Sequence, residues 1–214
     1  MKSRWIFIPV AGIIFLAAGF FFLFTNYGSG FISGSNASPG DPLPPDVLTR
    51  IQSGDIIMRR GTSFVSSMIV EILGDPPGFS HCGILVPAEN EGWQVIHSVS
   101  RSLSDLDGVQ IEALESFVRN SIPGSTTLVR LRSSFAPTDQ SLADRARTIL
   151  AQGYGFDNLF RLGVENGVYC SELLWLILPS QVLAESLKFQ EPGHIIRFES
   201  FLDDRFYEVI YDAR

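Results

Sequence analysis

Two cysteines and three histidines are the side chains most able to do chemistry in this sequence: Cys82, Cys170, His81, His97 and His194. Cys170 lies in V-Y-C-S-E-L-L-W-L-I-L. Read as a helix, Cys170, Leu173, Leu174, Ile177 and Leu178 fall at i, i+3, i+4, i+7 and i+8, so the cysteine sits in the first turn of an apolar stripe. A thiol there meets the positive end of the helix dipole and unpaired backbone N–H groups, both of which favour the thiolate, the form that attacks carbonyl carbon. The competing role for the same residue is a small buried hydrophobe.

His81 lies in F-S-H-C-G-I-L-V and His97 in W-Q-V-I-H-S. In a strand, alternation puts His81, Gly83 and Leu85 on one face and Cys82, Ile84 and Val86 on the other. A hairpin turning about Glu89 sets Leu85 opposite Trp93 and His81 opposite His97, with Cβ atoms about 4.5–5.5 Å apart. Two adjacent imidazoles suit a general base with an orienting partner: His81 takes the thiol proton, and His97 fixes its ring and tautomer. Their rival use is a metal site, but no further His or Cys follows at ligand spacing. Cys82 points away from His81. With the cysteine helix expected on the histidine face, Cys82 reads as core filling, and a Cys82–Cys170 disulfide would need that helix on the other side of the sheet. His194, in E-P-G-H-I-I, reads as structural, and Glu71, Asp75 and Glu89 as helix-end and loop acids.

The elements that must position these groups follow from pattern. Asp55–Met58, Ser80–Val86, Trp93–Val99, Val109–Leu114, Thr127–Leu131 and Phe206–Tyr211 read as strands. Residues 62 to 73 have helical spacing and end at G-D-P-P-G. A helix capped by Thr138 carries Leu142, Ala146, Ile149 and Leu150 on one face, and the cysteine helix stops at Pro179. Helices bracketing an antiparallel sheet make an α+β fold.

Ahead of this domain, Trp5 to Phe24 contain no charge. Such a helix would be roughly 30 Å long, the thickness of a bilayer's hydrocarbon core. Lys2 and Arg4 precede it, which directs the N-terminus to the cytoplasm and the rest across. A cleaved secretory signal is the alternative for residues 1–25. Residues 26–45, rich in Gly, Ser and Pro, read as a flexible linker, and 46–214 as the globular domain. The sequence has 214 residues, 45% of them hydrophobic and 18% charged, with a net charge of −7. Its basic residues are scattered, which argues against a nucleic-acid partner.

The order G-D-I-I (54–57), S-H-C-G-I (80–84), I-H-S (96–98), Y-G-F-D (154–157), Y-C-S-E-L-L-W (169–175) resembles the circularly permuted papain-like hydrolases, the YiiX/YebB-like branch of the NlpC superfamily. In that branch the histidine strand precedes the cysteine helix, as here. The resemblance spans roughly residues 51 to 211. It implies a permuted papain-like fold, a nucleophile at Cys170, a base at His81, a third polar residue at His97, and no cofactor. For Asp55, Tyr154 and Asp157 it implies positioning; Tyr169 and Glu172 match the motif without an assigned step. The implied function is that of a membrane-anchored, extracytoplasmic cysteine hydrolase acting on cell-wall peptide or a related amide. The alternatives are a lipid acyl hydrolase or acyltransferase, with Phe117, Phe135 and Phe156 lining an acyl groove, and a binding module without catalysis.

Overall fold

The computed structural model describes residues 38–76, 78–137, 140–190 and 195–214. The expected anchor, most of the expected linker, Thr138 and His194 lie outside the described residues. Among those that are described, no helix is long and apolar enough to cross a membrane.

Six strands form one antiparallel sheet: β1 (Ile56–Arg59), β2 (His81–Pro87), β3 (Trp93–Val99), β4 (Gly108–Ala113), β5 (Thr127–Leu131) and β8 (Tyr207–Asp212), in the order β4-β3-β2-β1-β5-β8. A small hairpin pairs β6 (Phe189–Gln190) with β7 (Ile195–Ile196). The helices are α1 (Pro45–Leu48), α2 (Phe64–Leu73), α3 (Leu114–Arg119), α4 (Leu142–Gln152), α5 (Cys170–Ile177) and α6 (Ser180–Ser186). Local chemistry sets their ends. Ser63 caps α2 by accepting from the Ser66 N–H, and Ser141 caps α4 by accepting from the Asp144 N–H. Gly74 and Gly153 then close those helices in the left-handed conformation, at φ 55° and 68°, where a Cβ would be strained.

The central strands bury both faces, so their sequences read as apolar runs. On one face Ile56, Met58, Cys82, Ile84, Val86, Ile96 and Val129 pack with Leu142 and Ala146 of α4 and with Leu173, Leu174 and Ile177 of α5. On the other, Ile57, Leu85, Val95 and Leu128 pack with Leu114, Phe117 and Val118 of α3 and with Leu43, Val47 and Ile51. Gly40 also donates its N–H to the Arg119 carbonyl, so the last residues before the domain lie against α3.

Two expectations are corrected here. The β2–β3 register pairs Gly83 with His97 and Pro87 with Trp93, two residues away from a hairpin centred on Glu89. The turn is centred on Asn90 because the Ala88 N–H closes it on the Gly92 carbonyl at 3.1 Å, with Gly92 at φ 91°. A slip of two keeps every side chain on its face, so His81 and His97 meet diagonally instead of directly. The second correction concerns layers: α5 packs on the Cys82 face of the sheet, not on the histidine face. The sequence alternation sorts side chains between faces but contains nothing about which face the helix covers.

Candidate active site

The start of α5 is held from several directions. Glu172, buried in its first turn, accepts from the Tyr169 N–H at 3.3 Å and from the Gly163 N–H at 2.6 Å, satisfying a donor that the helix itself leaves unpaired. Ser171 donates to the Ile196 carbonyl, and the Tyr169 hydroxyl accepts from the Ile196 N–H. The chain leading in is fixed as well: the Val168 N–H bonds the Gly155 carbonyl, and the Ser98 hydroxyl donates to the Val168 carbonyl. Phe160 packs its ring on Tyr169 with a backbone φ of 52°, a conformation costly for a bulky residue. These bonds explain the motif positions Tyr169 and Glu172: both set where Cys170 stands.

Cys170 is 6% exposed and Cys82 is fully buried, and both are free thiols. Both side chains lie in the core cluster between α5 and the sheet. The neighbouring Cys82 thiol, then the backbone N–H groups of Cys82, Ser171 and Cys170, hold Cys170 below the ordinary thiol value although burial opposes it. Burial, then the neighbouring Cys170, pushes Cys82 well above that value. The two thiols are thus shifted in opposite directions.

On the opposite face, His81 Nε2 and His97 Nδ1 are 2.7 Å apart. The Phe117 ring stacks on His81 at 5.5 Å between centroids and meets His97 edge-on at 5.5 Å. The Arg59 guanidinium lies 4.3 Å above the same ring and donates to the Phe117 carbonyl at 2.8 Å. Glu112 Oε1 stands 3.3 Å from His97 Nε2, within ion-pair distance though not aligned as a hydrogen bond. Burial first, then His97 and Arg59, lowers His81 well below the usual imidazole value. Burial, then Arg59, lowers His97 to about 3. Arg59 is itself lowered to about 10 by burial, opposed by Glu112 and Cys170.

The two halves of the site meet at one peptide. His81 is followed by Cys82, which lies in the core cluster with Cys170. Among the described residues no hydrogen bond joins the His81 ring to the Cys170 sulfur; with Nε2 engaged by His97, Nδ1 is the ring nitrogen left over. Arg59 and Glu112 were not singled out from sequence as parts of a site, and Phe117 only as a wall of an acyl groove. The alternation of V-Q-I-E in β4 groups Gln110 with Glu112, but only the β3–β4 register brings that pair beside His97.

Other motif residues lie elsewhere. Asp55 accepts from Arg130 Nε and Nη2 at 2.7 and 2.8 Å and from the Gln52 N–H. It is four residues along β1 from Arg59, the partner of His81, hence about 13 Å away. Asp157 accepts from the Leu159 and Arg161 N–H groups and shapes the loop before α5. Two further expectations are corrected. Asp75 is buried against Arg197 and the Glu199 N–H, with burial raising its pKa. Phe117 is fully buried and lines no open groove.

Among the described residues, no group of three or more His, Cys, Asp and Glu could hold an ion. A tetrahedral ion about 2.0 Å from each imidazole nitrogen would separate them by about 3.3 Å, wider than the 2.7 Å observed.

A family model described as "Permuted papain-like amidase enzyme, YaeF/YiiX, C92 family" matches residues 50–192. Among solved structures, the crystal structure of yiiX from Escherichia coli O157:H7, described there as a metalloprotein, aligns with a TM-score of 0.56 at 17% identity. The alignment covers 75% of this chain and 97% of that one, a likeness of fold. No curated protein matches the sequence. With the family model spanning both the histidine hairpin and the cysteine helix, the chain belongs to the permuted papain-like amidase family.

Proposed function

We propose that this protein is a cysteine amidase in which Cys170 is the nucleophile, His81 the general base and His97 the group that orients it. The observation that carries the reading is the division of labour between the faces. Cys170, its thiol pKa lowered, begins α5, and His81, next in sequence to Cys82 on the β2 strand that α5 covers, has its Nε2 2.7 Å from a second imidazole. With its proton on Nε2, the side that Glu112 approaches to 3.3 Å, His97 offers its Nδ1 lone pair to the His81 Nε2–H. The His81 Nδ1 lone pair then takes the thiol proton as sulfur attacks the carbonyl. The Cys170 N–H holds the developing oxyanion, His81 returns its proton to the leaving amine, and water resolves the acyl-enzyme.

The substrate we favour is a cell-wall peptide or related amide, because the family is one of amidases. The domain works outside the cytoplasmic membrane, tethered by the uncharged run from Trp5 to Phe24. The reading is tested by alkylation with iodoacetamide followed by digestion of substrate panels. Cys170 reacts faster than Cys82, His81→Ala slows it, and His97→Ala slows it less. Muropeptides are cleaved, and cleavage is lost in Cys170→Ala. Equal alkylation of the two cysteines sinks the nucleophile assignment. Release of fatty acid from phospholipid with muropeptides left intact replaces the amidase with a lipid acyl hydrolase.

A further inference from the structure

The mechanism gives no task to Arg59, although its side chain holds the ring that flanks both histidines. We infer that Arg59 is a positioning residue for the proposed base, acting through Phe117 to keep the His81 ring where it can accept the thiol proton. The inference rests on His81 being the base of the proposed amidase.

Strand register brings the groups together. β1 pairs Arg59 directly with His81 of β2, and cross-strand partners send their side chains to the same face. Alternation along β1 puts Arg59 with Ile57, on the face that α3 covers with Phe117. Arg59 then engages Phe117 twice. Its guanidinium carbon lies 4.3 Å from the ring centroid, and its Nη1 donates to the Phe117 carbonyl at 2.8 Å. One planar group thus fixes both the ring and the backbone of the same residue. Phe117 passes that placement on. Its ring stacks on His81 with centroids 5.5 Å apart and planes 27° from parallel, and it meets His97 edge-on at 5.5 Å. The two imidazoles stand 5.0 Å apart at 80° to each other, with His81 Nε2 reaching His97 Nδ1 at 2.7 Å.

Space filling is a poor reason for an arginine at this position. Arg59 is 8% exposed, its Nε is buried without a hydrogen-bond partner, and among the described residues it forms no ion pair with a carboxylate. Burying a charge on those terms is costly, and Met would fill much of the same space without that cost. What an apolar side chain cannot do is donate to the Phe117 carbonyl while facing the ring. The placement matters because χ2 of histidine has broad preferences, so the strand by itself leaves the plane of the His81 ring open. The face of Phe117 and the nitrogen of His97 set that plane, and Arg59 holds the first of them.

The full-length protein is compared as native, Arg59→Met, Phe117→Leu and the double variant, with His81→Ala as the floor and urea unfolding to confirm that each is folded. Two quantities are read: the rate of Cys170 labelling by iodoacetamide, and solvent exchange of the N–H proton shared by His81 and His97, followed by NMR on isotopically labelled histidine. Arg59→Met should slow Cys170 labelling about tenfold and speed exchange of the shared proton. Because Arg59 acts through Phe117, the double variant should be no slower than Phe117→Leu alone. Arg59→Lys keeps the charge but not the planar fork, and should lose both properties as Arg59→Met does. Losses that multiply in the double variant overturn the inference, as does Arg59→Met with the native labelling rate and a protected shared proton. Where Arg59→Met does not fold, Arg59→Lys stands in, and native protection of the shared proton in that variant overturns it equally. Native Cys170 that labels no faster than in His81→Ala counts against the base assignment, and exchange of the shared proton then decides by itself whether Arg59 holds the ring.

Discussion

Mild acid should weaken the fold through the histidine pair, and His97→Asn should remove a defined share of that effect. His97 is buried beneath Phe117 and beside Arg59, which lowers its pKa from 6.5 to about 3. For such a group the sign is fixed. The folded-state value lies below the unfolded one, so its stabilising contribution is complete above pH 6.5 and is lost as pH falls toward 3. Between those limits the unfolded chain binds a proton that the native state refuses. Stability then falls by about 1.4 kcal/mol per pH unit for each such ring. From pH 6.5 to about 4.5, His97 alone contributes a loss of about 2.3 kcal/mol, a large share of the 5–15 kcal/mol that holds a typical domain together. His81, lowered well below its usual value, adds in the same direction. Asn at position 97 still offers an oxygen to the His81 N–H but binds no proton. The assay is urea unfolding at a series of pH values, comparing the slope of stability against pH and not the absolute stabilities. The mutant slope should be shallower by about one proton in this window. Equal slopes in the two proteins would refute the claim that His97 is held neutral by burial.

Two further outcomes follow. Breaking the Asp55–Arg130 pair with Arg130→Ala leaves a buried carboxylate without its partner and should cost about 3–5 kcal/mol, read by urea unfolding. Cys170 alkylation in native buffer should be unchanged, because the pair lies at the far end of β1; a parallel loss of alkylation would show that Asp55 positions the site. A reporter active only outside the cytoplasm, fused after Arg214, should give signal, and carbonate washing should leave the protein with the membrane; a shortened soluble form would show instead that residues 1 to about 30 are removed.

The sequence by itself determined which residues carry side chains toward which face. Alternation in H-C-G-I-L-V placed His81 with Gly83 and Leu85 and opposed it to Cys82, and the two-residue register slip left that sorting intact because strand periodicity is two. It also determined that Cys170 opens an apolar helix, since the stripe from Leu173 to Leu178 is written at helical spacing and Pro179 ends it. Short helices such as α3 and α6 escaped notice because six or seven residues hold too few turns for a periodic signal. Tertiary structure alone decided what surrounds each group. Arg59, Glu112 and Phe117 come from three separate elements and meet His97 only through strand pairing and the packing of α3 on the sheet. It decided, too, that α5 covers the Cys82 face. Local sequence sets the faces of a strand and the stripe of a helix, but which face receives which stripe is settled by the burial of apolar surface over the whole chain.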